Sequence, residues 1–83
     1  NPADYGWRGV RTRKYTYVME LGYDVICNPK RYLYDIKNDP QQKTTLDLEI
    51  EENKRLAKKM EEEVIKWMER QNDGFLKNWN SKL

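Results

Sequence analysis

The sequence predicts an α+β domain, in which a small antiparallel sheet of three or four strands has one long C-terminal helix packed on one face. Two observations support this fold. Apolar and polar residues alternate at period two between about residues 7 and 36, and at the helical period of 3.6 between about residues 48 and 71. Strands that precede a helix in this way, within only 83 residues, indicate a single two-layer domain spanning residues 1–83.

The first two strands are predicted at Trp7–Thr12 and Tyr15–Leu21, as a hairpin that turns near Arg13-Lys14. Alternation gives the second strand two chemically different faces. One face carries Tyr15, Tyr17, Met19 and Leu21, and the other carries Thr16, Val18 and Glu20.

A third strand is predicted at Arg31–Ile36, and the turn residues Asn38-Asp39-Pro40 end it. Asp35 has no second carboxylate at a defined spacing, so we expect a hydrogen-bonding residue of the turn rather than a metal ligand or an acid catalyst. Residues 22–29 are predicted to form a loop, with a brief strand at Val25–Cys27 as the fourth candidate.

The helix is predicted from about Leu48 to Gln71. Its apolar stripe, which we expect to be buried against the sheet, consists of Leu56, Met60, Val64 and Trp67. Gly74 is expected to take the left-handed conformation that ends the helix. A short tail segment with Phe75, Leu76 and Trp79 then follows and could fold back.

Aromatic and aliphatic residues occur on both faces of the predicted sheet, but a single helix covers only one of them. The uncovered face is therefore expected to dock a partner, and the isolated chain is expected to self-associate or to be only marginally stable. The alternative is a set of half-exposed tyrosines that needs no partner.

Composition limits the classes of partner. Hydrophobic residues make up 37% of the chain and charged residues 36%, while three Trp, six Tyr and one Phe supply area for a core. With a net charge of +2 and no recognised RNA-binding motif, we expect no nucleic-acid partner. No apolar run reaches membrane-spanning length, so no membrane partner is expected, and the single Cys excludes an internal disulfide.

Two segments resemble the C-terminal part of sulfatases. The family's R-x-V-R-T and Y-K-Y-I hairpin is resembled by the segment Trp7-Arg8-Gly9-Val10-Arg11-Thr12, followed by Lys14-Tyr15-Thr16-Tyr17-Val18. Tyr32-Leu33-Tyr34-Asp35-Ile36-Lys37-Asn38-Asp39-Pro40 resembles its E-L-Y-D-L-x-x-D-P strand and turn. Thr45-Leu46-Asp47 stands where the family has N-L-A, before the C-terminal helix. The chain departs from the pattern at Thr16, Tyr32 and Thr45, and the resemblance spans residues 7 to about 70.

The resemblance implies the C-terminal subdomain of a sulfuric ester hydrolase that acts on sulfated glycans or aryl sulfates. It implies that formylglycine and calcium belong to a large catalytic domain of the same parent chain, against which this subdomain packs and whose substrate pocket it helps to shape. Family members are usually exported, so a periplasmic, extracellular or lysosomal parent is expected. The chain begins with Asn1-Pro2 rather than Met, and we expect a processed or excised piece.

Cys27-Asn28-Pro29-Lys30-Arg31 matches the minimal Cys-x-Pro-x-Arg pattern from which sulfatases make formylglycine. Its context argues against that role, because Lys30 replaces the family's usual Ser or Ala and the chain continues into a predicted strand instead of a helix. The chain also contains no His to transfer protons. We therefore expect Cys27 to be an ordinary thiol and the isolated chain to be catalytically inactive, with no catalytic or metal-binding residue of its own.

The candidate substrate-binding residues are Arg11, Arg8 and Trp7, because Arg suits bidentate contact with an anion and Trp suits stacking on a sugar. Arg8 and Arg11 lie on opposite faces of the first strand, and the resemblance favours Arg11. Arg13 and Lys14 are expected to be a solvated turn. The alternative function is a free-standing binding module, whose basic aromatic hairpin contacts an acidic partner such as RNA.

Overall fold

The computed structural model describes residues 2–22 and 28–83, and this part of the chain contains three β-strands and two α-helices. The strands are β1 (Gly6–Arg11), β2 (Tyr15–Leu21) and β3 (Lys30–Asp35), and the helices are α1 (Glu51–Arg70) and α2 (Gly74–Lys82). The sheet has the order β1-β2-β3, and both neighbouring pairs are antiparallel. The predicted α+β class is confirmed; the brief strand predicted at Val25–Cys27 lies outside the described residues.

The β1–β2 hairpin turns at the predicted place without any of the dipeptides that favour tight turns. The hydroxyl oxygen of Thr12 accepts hydrogen bonds from the backbone N–H groups of Lys14 and Tyr15, at 3.3 and 3.0 Å. The backbone N–H of Thr12 donates to the carbonyl oxygen of Tyr15 at 2.8 Å. A threonine side chain therefore supplies the turn's polar contacts, as Ser and Thr commonly do in loops.

The end of β3 is stabilised by Asp35, as predicted. Its carboxylate accepts hydrogen bonds from the backbone N–H groups of Lys37 and Asn38 and from the side-chain amide of Asn38, the last at 2.7 Å. The side-chain hydrogen bond from Asn38 is the main reason that the pKa of Asp35 is lowered from its ordinary value. Asp39 continues the loop by accepting from the N–H groups of Lys43 and Thr44.

The core lies between one face of the sheet and the two helices, which is the two-layer arrangement that the periodicity predicted. The strands contribute four buried side chains, from Tyr17, Met19, Leu21 and Leu33. The helices contribute six more, from Ala57, Met60, Val64, Met68, Phe75 and Trp79.

The predicted burial of the α1 stripe was right for Met60 and Val64 and wrong for Trp67, which is 45% exposed. The side chain that reaches the sheet at that level is Met68, which is fully buried. Adjacent helical residues point about 100° apart, so a stripe that includes Met68 leaves Trp67 at the edge of the interface. Leu56 is only half-buried for the same reason, since Ala57 faces the core.

The end of α1 also differs from the prediction. Asn72, with φ of 52°, takes the left-handed conformation that was expected at Gly74. Gly74 instead begins α2, where a Cβ atom would lie 2.6 Å from the carboxylate of Asp4. The tail segment is thus a helix of its own, and it buries Phe75 and Trp79 as parallel-stacked rings with centroids 6.0 Å apart.

Candidate docking face

The sheet has one face covered by the helices and one face without a covering element among the described residues. Register places the side chains of the second face in adjacent positions across the strands, because Trp7 pairs with Glu20, Val18 with Tyr32, and Thr16 with Tyr34. We call this surface the open face; it consists of Trp7, Thr16, Val18, Glu20, Tyr32 and Tyr34, and Gln42 adjoins it from the following loop.

The open face combines aromatic area with a few polar groups. The rings of Tyr32 and Tyr34 stack with their centroids 6.4 Å apart, and the Tyr32 hydroxyl donates to Glu20 at 3.3 Å. Partial desolvation, followed by the nearby Glu20 carboxylate, raises the pKa of Tyr32 above its ordinary value. Trp7 is 66% exposed. Large rings of this kind that are open to solvent are typical of surfaces that bind a partner.

One polar group on the open face is left without a partner in the described part of the chain. The hydroxyl oxygen of Thr16 is screened from solvent and makes no hydrogen bond there. An unsatisfied, screened hydroxyl costs about 1–3 kcal/mol. The open face is therefore less well satisfied than the helix-covered face.

The structure separates the three candidate binding residues, as strand alternation predicted. Trp7 and Arg11 belong to the set of β1 side chains on the side of the open face, and both are exposed. Arg8 lies on the helix-covered side and is half-buried. Arg13 and Lys14 are exposed at the turn. Whether any of them binds a substrate stays a prediction.

Arg8 connects the two ends of the chain. Its guanidinium makes a two-pronged ion pair with the carboxylate of Asp73, with Nε–Oδ2 at 2.6 Å and Nη2–Oδ1 at 3.1 Å, and it lies 4.7 Å from the centre of the Phe75 ring. The same side chain donates to the carbonyl oxygen of Ala3 at 2.6 Å. Asp73 also accepts from the N–H of Phe75 and so caps α2. The contacts of Arg8 with Asp73 and with the Phe75 ring hold β1 against the start of α2, and its bond to Ala3 holds the N-terminal segment beside them.

A second polar cluster lies at the boundary between the sheet and α1. Glu61 accepts a hydrogen bond from the Tyr17 hydroxyl and another from Nε of Arg31, each at 3.1 Å. The Arg31 guanidinium also lies 5.0 Å from the centre of the Trp79 ring. Burial, followed by the Glu61 carboxylate, raises the pKa of Tyr17. Sequence reasoning did not identify Glu61 or Asp73, although Arg8 and Arg31 at helix-facing strand positions indicate a need for acidic partners.

The segment that matches the formylglycine pattern does not lead into a helix. Lys30 and Arg31 begin β3, as the context predicted, whereas Cys27 lies outside the described residues. Among the residues described, no group of three or more His, Cys, Asp or Glu side chains is arranged to hold a metal ion.

Neither α1 nor α2 has the length and apolar character needed to cross a bilayer. Comparison of the chain with protein-family models and with curated proteins found no match.

Proposed function

We propose that this chain is the C-terminal subdomain of a sulfatase, and that its open face packs against the catalytic domain of the same parent protein. The observation that carries the proposal is the order and spacing of the two resembling segments. The R-x-V-R-T-like segment covers β1, and the L-Y-D-like segment covers β3 and its turn. Two segments that match in the family's order and spacing are more specific than either segment alone.

The open face supports the docking part of the proposal. It offers an exposed Trp ring, a stacked pair of Tyr rings and a screened hydroxyl on one face of the sheet. A partner domain that buries this surface would remove aromatic area from water, at about 25 cal/mol per Å². Arg11 lies on the same side of β1, where an anionic group of the partner or of a bound substrate would meet its guanidinium.

The reading frame that encodes the parent protein tests the family assignment directly. We expect a long α/β region before residue 1, containing a Cys-x-Pro-Ser-Arg-type motif. A frame that encodes only this small domain would contradict the proposal. In that case the free-standing binding module becomes the better hypothesis, and fluorescence anisotropy with single-stranded RNA would test it, with Trp7→Ala and Arg11→Ala expected to weaken binding.

Docking is tested in the full-length parent by placing a charge on the open face. Val18→Asp is expected to lower soluble, active sulfatase severalfold, because a carboxylate buried at an interface is costly. Ile50→Asp is the control, since Ile50 is an exposed apolar residue outside the open face, at the N-cap of α1, where a carboxylate is favourable. Equal activity of the two variants would show that the open face does not carry the interface.

The proposal also predicts that the 83-residue chain is inactive on its own. Peptide mapping should find unmodified cysteine at position 27, and turnover of an aryl sulfate should equal that of buffer. By the resemblance, the calcium ion and the groups that stabilise the departing sulfate oxyanion belong to the catalytic domain of the parent protein. Aldehyde at position 27, or turnover that Cys27→Ala abolishes, would contradict this part of the proposal.

A further inference from the structure

The two outer strands of the sheet differ in how well their edges are protected. The outer edge of β3 is partly covered, because the N–H of Leu46 donates to the carbonyl oxygen of Leu33 at 2.7 Å and the Thr45 hydroxyl donates to the same oxygen. No comparable main-chain segment covers β1 among the described residues. An uncovered strand edge is a template for another strand.

The register shows which groups β1 directs outward. Thr12 and Tyr15 form a hydrogen-bonded pair at the turn, and such pairs alternate with non-bonded pairs along an antiparallel ladder. Trp7, Gly9 and Arg11 therefore point their backbone N–H and C=O groups away from β2. The same alternation directs Leu33 outward on β3, which agrees with its bond to Leu46. The carbonyl of Trp7 accepts from Arg8, but the N–H groups of Gly9 and Arg11 have no described acceptor.

A groove of about 400 Å³ lies between this edge and α1, and we call it the β1 groove. Its strand side is formed by Trp7, Arg8, Gly9 and Val10, and its helix side by Glu63, Val64, Trp67 and Arg70. Trp67, which was predicted to be buried in the core but is exposed, therefore lines the helix side of the β1 groove. A free edge beside a helix is the arrangement in which extended peptides add to a sheet, with backbone hydrogen bonds on one side and side-chain contacts on the other.

Charge around the β1 groove favours an acidic occupant. Arg70 makes no ion pair within the described residues, whereas Glu63 lies 3.8 Å from Lys66. Arg11, Arg13 and Lys14 continue the positive charge along the strand end and turn. A second copy of this chain is a poor match, because pairing two β1 strands would bring the cations of both copies together.

We propose that the β1 groove receives an extended, acidic segment of a partner polypeptide, which pairs with β1 as a fourth strand. Backbone groups of Gly9 and Arg11 would bond to the added strand, while apolar side chains on its helix-facing side contact Val64 and Trp67. Carboxylates on the opposite side of the added strand would meet Arg11, and Arg70, an exposed cation of the groove's helix wall, would attract the negative charge of the segment as a whole. This inference does not depend on membership of the sulfatase family.

The test uses the 83-residue chain and a synthetic nine-residue peptide that alternates valine and glutamate. Nuclear magnetic resonance titration should shift the amide signals of Gly9 and Arg11 and protect both from hydrogen exchange. Two comparison peptides separate the contributions: one replaces glutamate with lysine, and the other is N-methylated on alternate backbone amides. We expect both changes to weaken binding about tenfold or more, because the first reverses the charge and the second removes strand pairing.

Variants of the groove complete the test. Arg70→Glu should weaken the glutamate peptide about tenfold and strengthen the lysine peptide, and Trp67→Ala should weaken both. Lys59→Glu is the control, since Lys59 is exposed on α1 outside the groove and should leave binding unchanged. Absence of binding, equal binding of the N-methylated peptide, or shifts confined to the open face would each overturn the proposal.

Discussion

At the scale of single residues, the half-buried Arg8 and the more exposed Arg31 each bond to an acidic partner from a distant part of the chain. Arg8 bonds to Asp73, which lies 65 positions later, and Arg31 bonds to Glu61. Each guanidinium also stacks on an aromatic ring of α2. Leaving the half-buried Arg8 without its partner would be costly, whereas the exposed Arg31 pair contributes less, and together the contacts help to specify how α2 and α1 pack on the sheet.

Asp73→Asn is expected to lower the free energy of unfolding at neutral pH by about 1 kcal/mol, because it keeps the helix cap but removes the charge that pairs with Arg8. The hydrogen bond from Arg8 lowers the pKa of Asp73 in the folded protein. The carboxylate therefore stabilises the fold above the unfolded pKa near 3.9, and this contribution is lost as pH falls through the folded pKa. The variant should lose less stability on acidification, as urea titrations over the acid range would measure. Glu62→Gln, on the exposed side of α1, should lose as much stability on acidification as the unsubstituted 83-residue chain.

Tyr17→Phe is expected to cost about 0.5–1.5 kcal/mol, because it removes the hydroxyl that donates to Glu61 from a fully buried ring. Since burial raises the pKa of Tyr17, its neutral form stabilises the fold below the unfolded pKa near 10, and that contribution declines as pH rises beyond it. Denaturant titrations should therefore show the gap between the two proteins narrowing at alkaline pH. An equal or larger cost for Tyr34→Phe, on the open face, would contradict the role of the Glu61 bond.

The residue scale is where the sequence predicted least. Alternation along β1 was enough to place Arg8 and Arg11 on opposite sides of the sheet. Nothing in the spacing of the charged residues distinguishes Asp73 or Glu61 from the other acidic residues on the helices. Pairing across 65 positions depends on the tertiary position of α2, which local periodicity does not encode.

At the scale of elements, periodicity predicted the strands and α1 well, because each segment is long enough to repeat its pattern. The predicted bounds of β2 agree with the observed ones, and those of β1 and β3 differ by one residue at each end. The start of α1 differs by three residues, because Asp47 holds the preceding residues in a turn by accepting from the N–H of Glu49. The helical period also left the stripe ambiguous between Trp67 and Met68, which are adjacent and both apolar.

That ambiguity gives a direct prediction for α1. Met68→Ala should lower the free energy of unfolding by about 2–5 kcal/mol, because it leaves a cavity where most of a fully buried side chain has been removed. Trp67→Ala should cost about 1 kcal/mol or less, since the larger side chain is substantially exposed and Ala favours the helix. Urea denaturation with an unchanged m-value would measure both. A larger loss from Trp67→Ala would mean that the helix is rotated relative to the sheet.

At the scale of the whole molecule, the helices satisfy only one side of the sheet. The covered face contains buried residues from β2, β3, α1 and α2, whereas the open face exposes Trp7 and leaves the Thr16 hydroxyl without a partner among residues 2–22 and 28–83. The sequence predicted that one face would be left uncovered, since aromatic residues occur at odd and even positions of the strands and therefore on both faces of the sheet. The sequence of this chain alone does not identify a partner for the open face.

The isolated chain is therefore expected to associate with itself through the open face, or to be only marginally stable as a monomer, because a domain of this size has little core to spare. Sedimentation should show a weight-average mass that rises with concentration, and the melting temperature should rise with it, since association stabilises the folded state by mass action. Val18→Lys should shift the population to monomer, because a lysine on the open face opposes burial of that surface. Ile50→Lys adds the same charge at an apolar residue exposed elsewhere and should leave association unchanged. A clean monomer with a high, concentration-independent melting temperature would show that the half-exposed tyrosines are tolerated without a partner.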